Sequence, residues 1–70
     1  MNQFIIKNTL IDGTECRANI NTDTIKSLSV SFRPKNLLQD VDILWECGNE
    51  EHFVISNEQM IELMEVVCNR

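Results

Sequence analysis

His52 is the single histidine of the 70-residue chain, and Cys47 stands five residues before it. A thiol beside an imidazole can act as nucleophile and base, or offer two ligands to a metal. Both readings lack parts. A closed zinc site needs four ligands, and no Cys-x-x-Cys or His-Glu-x-x-His supplies them. A thiol nucleophile needs an orienting third group and an oxyanion hole. Asp42, Glu50 and Glu51 are near in sequence, but no glycine-rich segment accompanies them. The acid pairs Asp40/Asp42 and Glu50/Glu51 read as solvated loop carboxylates, because a chain this short cannot build a deep cleft between two facing acids. Trp45 and Phe53 could stack bases, yet Glu46, Glu50 and Glu51 surround them where lysine and arginine would be needed. They read instead as core or protein-interface aromatics. The residue types favour a non-enzymatic protein with no metal and no cofactor.

These side chains must be held by short elements. Phe4, Ile5, Ile6, Leu10 and Ile11 lead into Asp12-Gly13, a pair that tolerates positive φ and so signals a hairpin. The return strand runs from Thr14 to about Ile20, with Cys16, Ala18 and Ile20 on one face. Residues 22–32 fit two patterns. Leu28, Val30 and Phe32 alternate with serines, as in a strand. Ile25, Leu28 and Phe32 also fall at helical spacing, with Thr22 or Asp23 as cap and Pro34 as terminator. Lys35 to Asp40, with Leu37 and Leu38, reads as a short turn or one helical turn. Ile43, Trp45 and Cys47 form one face of a strand, Gly48-Asn49-Glu50-Glu51 a turn, and His52 to Ile55 the partner strand.

The C-terminal segment predicts a helix. Ser56 is a suitable N-cap, and Gln59 three residues on would close a capping box. Met60, Ile61, Met64, Val67 and Cys68 form an apolar stripe widened by Leu63, opposite Glu58, Glu62, Glu65 and Asn69. The expected core is Trp45, Phe53, Ile55, Met60, Ile61, Met64 and Val67. Within it Trp45 should lie between the second hairpin and the helix, against some of Met60, Ile61 and Met64.

Size and charge narrow the function. A 70-residue, 8.1-kDa chain is read as a single domain, residues 1–70. It buries roughly 60% of its unfolded surface, a thin core that dimerisation or a partner would help. The formal net charge is −5, and it is uneven. Residues 1–35 hold five bases and three acids, while residues 36–70 hold eight acids and Arg70 as the lone base. That balance disfavours direct nucleic-acid binding and suits a protein partner with a basic surface. Glu58, Glu62 and Glu65, with Glu50 and Glu51, are the candidate partner-binding residues. The sequence shows no signal peptide and no apolar run long enough for a membrane span. Three widely spaced cysteines, Cys16, Cys47 and Cys68, read as reduced structural thiols in a cytoplasm.

The span from Asp42 to Ser56, with Asn57 to Leu63 after it, resembles a short bacteriophage domain found near the end of tail-fibre and tail-assembly proteins. The matching features are Trp45 on a strand, Asn49 in a turn, Phe53 to Ile55, Ser56 and a closing helix. Upstream, Asp12-Gly13 and residues 21–32 resemble that domain's leading turn and first helix, so the resemblance covers about residues 10–68. Gly48 stands where the domain often has Asp, and the serine-rich first helix is atypical. The resemblance implies an α+β fold, two hairpins and a C-terminal helix in the order β-β-α-β-β-α. The strand reading of residues 24–32 gives instead a five-stranded meander plus helix. The resemblance brings no catalytic residue and implies a structural or assembly subunit of a phage tail that self-associates as a homodimer or larger. Small size, the acidic half and a phage setting suggest instead an accessory protein that binds and inhibits a host protein in the host cytoplasm. Cys47 with His52 leaves a minimal metal or catalytic protein as the third reading.

Overall fold

A computed structural model describes residues 3–69, which leaves Arg70 outside the described residues. Five strands precede one helix: β1 (Gln3–Thr9), β2 (Glu15–Asn21), β3 (Ile25–Ser31), β4 (Leu38–Trp45), β5 (Glu50–Ser56) and α1 (Asn57–Cys68). The class is α+β, with two antiparallel sheets ordered β1-β2 and β3-β4-β5. The β-β-α-β-β-α order is therefore incorrect, and the strands do not form one continuous meander.

The correction lies in residues 22–32. A single 3-10 turn, Thr22–Thr24, leads directly into β3. Asn21 caps it by accepting the Asp23 N–H, and the Thr24 hydroxyl donates back to the Asn21 carbonyl. Strand wins because serine and valine are weak helix formers and the period of two can be satisfied. Leu28 and Val30 are half-buried against the core, while Ser27, Ser29 and Ser31 face out. The stretch read as a turn before Asp40 is also shorter than expected, since β4 already begins at Leu38.

Both hairpins close with the same turn. Gly13 N–H donates to the Leu10 carbonyl at 2.9 Å, and Leu10 N–H to the Thr14 carbonyl at 2.8 Å. Gly48 N–H donates to the Trp45 carbonyl at 2.9 Å, and Trp45 N–H to the Asn49 carbonyl at 2.8 Å. Each is a three-residue loop ending on a glycine in the left-handed region, with φ +87 at Gly13 and +94 at Gly48. Asp12 is not at positive φ. It acts through its carboxylate, which accepts the Thr14 N–H at 2.9 Å; Thr14 holds that carboxyl below its ordinary pKa.

The core gathers Ile6, Ile20, Ile25, Val41, Ile43, Phe53, Ile55, Met60 and Leu63 between the two sheets and α1. Phe53, Ile55 and Met60 are buried as the sequence suggests, and Val67 packs at the margin. Ile61 and Met64 are not core: they are 51% and 42% exposed. Two stripes on the helix share i, i+3, i+7 spacing, Met60-Leu63-Val67 and Ile61-Met64-Cys68. The sheets take the first, with Leu63 fully buried.

Side-chain amides join the pieces. Gln59 donates to the Ile5 carbonyl at 2.8 Å and accepts the Lys7 N–H at 2.7 Å, so it pairs with β1 as a strand neighbour would. Ser56 Oγ caps the helix by accepting the Gln59 N–H, but the Gln59 side chain does not close the capping box. Asn8 Oδ1 accepts the Val54 N–H at 2.7 Å, fastening β1 alongside β5. Gln39, only 1% exposed, accepts from Arg33 N–H and donates to the carbonyls of Arg33 and Asn36 and to Asn57 Oδ1. It organises the loop from 32 to 37. No described buried side-chain N or O lacks a partner.

Candidate functional site

Trp45 ends β4, where Ile25 faces it across the ladder. Its indole is half-buried and packs at the edge of the core. Of the helix residues expected against it, Ile61 and Met64 face outward, while Met60 belongs to the core that Trp45 packs against. The indole Nε1–H donates to Glu51 Oε1 at 2.9 Å. Beside it lies an open groove of about 540 Å³. It is lined by Asn19, Asn21 and Thr24 from the end of β2 and the 3-10 turn, and by Trp45, Glu46 and Glu51 from the second hairpin. The two segments are tied together, since Glu46 N–H donates to the Thr24 carbonyl at 2.8 Å.

His52 lies on the outer face of the three-stranded sheet, directly across from Asp42. Its Nδ1 is 2.8 Å from Asp42 Oδ1 and its Nε2 is 3.0 Å from Asp40 Oδ1. The hydrogen bond to Asp42 raises the imidazole pKa above its ordinary value. The charges of both aspartates add to this, and desolvation opposes it. A ring with a carboxylate on each nitrogen is a charge anchor between two strands, and neither partner is a thiol. Cys47 instead sits exposed in the β4–β5 turn. The Cys47/His52 pairing is thus a correction. The turn starts at Glu46, earlier than the sequence suggests, and that register sets His52 against Asp42. Among the described residues no three of His, Cys, Asp and Glu are placed to hold a metal.

The buried-thiol reading fails for all three cysteines. Cys16, Cys47 and Cys68 are free and exposed, on β2, in a turn and at the helix end. Cys16 and Ala18 do share a face with Ile20, but only Ile20 reaches the core.

The candidate partner-binding acids divide into two groups. Glu50 and Glu51 open β5 and are exposed, Glu51 also holding the indole. Glu58, Glu62 and Glu65 are exposed on α1, and no described lysine or arginine pairs with any of them. Interleaved with them is the outward stripe of Ile61, Met64 and Cys68, which lines a shallow apolar groove of about 320 Å³ with Glu65. Sequence periodicity showed the acids but assigned this second stripe to the core. Among the described residues no helix is long and apolar enough to cross a membrane. Comparisons with protein-family models, curated proteins and solved structures give no match for the chain.

Proposed function

We propose that this chain is a non-enzymatic, acidic protein-binding module, a phage accessory protein that docks on a basic surface of a host protein and inhibits it. The observation that carries the reading is the solvent face of α1. Glu58, Glu62 and Glu65 are exposed without a described basic partner, next to exposed Ile61 and Met64. Isolated surface acids cost little, but acids that repel at i, i+4 beside an apolar stripe make an incomplete surface. A basic partner completes it, since opposite charge speeds encounter and the apolar stripe supplies burial. The phage assignment rests on the residues of the Asp42–Leu63 span.

The test is capture from bacterial lysate at low and high salt, with wild type and a Glu58→Lys/Glu62→Lys/Glu65→Lys variant. Salt-sensitive capture that the variant loses supports the reading. Partners retained by the variant with unchanged salt dependence remove the acidic face as the docking surface. Self-association at micromolar concentration in place of capture favours the tail-subunit function.

A further inference from the structure

We infer that the groove beside Trp45 seats an arginine side chain of the protein partner, an inference that rests on the binding-module reading and adds a second, separate contact to it. Among the described residues, its only charged lining residues are Glu46 and Glu51. Asn19, Asn21 and Asn49 add amide groups around the rim. The aromatic wall is pre-set before any ligand arrives. Glu51 holds the indole nitrogen, and the backbone beneath is fixed, with the main-chain N–H groups of Trp45 and Glu46 donating to the Asn49 and Thr24 carbonyls. The indole, held at its nitrogen by Glu51, therefore has little rotamer freedom left to lose on binding.

An indole beside two carboxylates is complementary to one class of group, a planar cation. A guanidinium can stack on the ring and donate in its plane to carboxylate and amide oxygens. A lysine ammonium has no plane to stack and is more strongly hydrated. A purely apolar side chain leaves the carboxylates unpaired, and a phosphate or nucleotide is repelled by them. A second copy of this chain brings its own net charge of −5 toward the same acids. The groove lies at the seam between β2 and the β4–β5 turn, away from the outward stripe of α1.

The chain carries one tryptophan and no tyrosine, so its intrinsic fluorescence reports this groove directly. The experiment titrates the full chain with a blocked Arg-Gly repeat peptide and with its twin in which citrulline replaces arginine. The expected result is a saturable change in Trp45 emission with the arginine peptide and binding about tenfold weaker with citrulline. The variant Glu46→Gln/Glu51→Gln should weaken arginine binding by about tenfold. Glutamine at 51 keeps an acceptor for the indole, and an unchanged melting midpoint verifies the fold. The Glu58→Lys/Glu62→Lys/Glu65→Lys variant should keep the fluorescence response. A flat titration, equal binding of the citrulline peptide, or an unaffected double glutamine variant overturns the groove as an arginine seat. Loss of the response in the helix variant also overturns it and leaves the acidic helix face standing. A retained response together with lysate capture that ignores the helix variant removes the helix face and leaves the groove.

Discussion

The β1–β2 and β4–β5 hairpins turn the chain identically and then part ways. Each uses a three-residue loop ending on a left-handed glycine, with matching hydrogen bonds across the neck. Yet β4 and β5 bury Gln39, Val41, Ile43, Phe53 and Ile55, while β2 buries only Ile20. Turn chemistry therefore fixes register locally and says nothing about depth. Depth comes from neighbours. Strand β4 has a partner on each side, whereas β2 has only β1. The second hairpin carries the fold and holds His52 and Trp45. The first contributes Phe4, Ile6 and Ile20 from one end and leaves the other in water.

The strongest break in this comparison is a cavity. Ile43→Ala removes a fully buried side chain from β4 and should cost about 2–5 kcal/mol, enough to unfold much of a domain this small. Ile11→Ala, at the exposed tip of the first hairpin, should stay within about 0.5 kcal/mol of wild type. Urea melts of the two variants measure the contrast, and equal midpoints would deny it.

A smaller effect tests the shared turn. Alanine at Gly13 or Gly48 meets no atom within 4 Å, so only the backbone conformation is penalised. Each change should cost about 1–2 kcal/mol, and the two costs should agree. A negligible cost at Gly13 alone would show that the first hairpin frays before the domain unfolds.

The smallest effect is electrostatic and belongs to the second hairpin alone. His52 has a raised folded-state pKa, so its charged contacts with Asp42 and Asp40 stabilise the protein fully below about pH 6.5. That contribution is lost as pH rises through the folded value. The side chain is 52% exposed, which limits the expected loss to a few tenths of a kcal/mol. Thermal melts from pH 5.5 to 8.5 should show the decline in wild type and a flat profile for His52→Gln.

Much of this architecture was legible in the residues, and the failures share a cause. Ser56 and the apolar spacing of Met60, Leu63 and Val67 identified α1, because capping and period are local signals. The Asp12-Gly13 turn was legible for the same reason, whereas the second was legible as a turn but not in its position, 46–48. The direction of the helix was not, since Ile61-Met64-Cys68 has the same spacing and only the sheets decide between the stripes. Residues 25–31 were ambiguous until β4 offered them a ladder. The His52 partners followed from the turn: counting outward from Trp45 and Asn49 brings His52 opposite Asp42, whereas a turn centred on Asn49-Glu50 brings Cys47 near it. Gln39 and Asn8 carried no signal, since a polar residue that replaces a backbone partner looks like any surface amide, and Gln59 signalled a capping box in place of its bonds to β1.

Those amides also determine how the molecule ages. Hydrolysis of a side-chain amide replaces a donor with a carboxylate oxygen. Asn8 uses its oxygen to accept the Val54 N–H, so deamidation to aspartate preserves that bond. Gln59 uses both ends, and glutamate there would set a negative charge against the Ile5 carbonyl. The same one-dalton change is thus silent on the strand and disruptive on the helix.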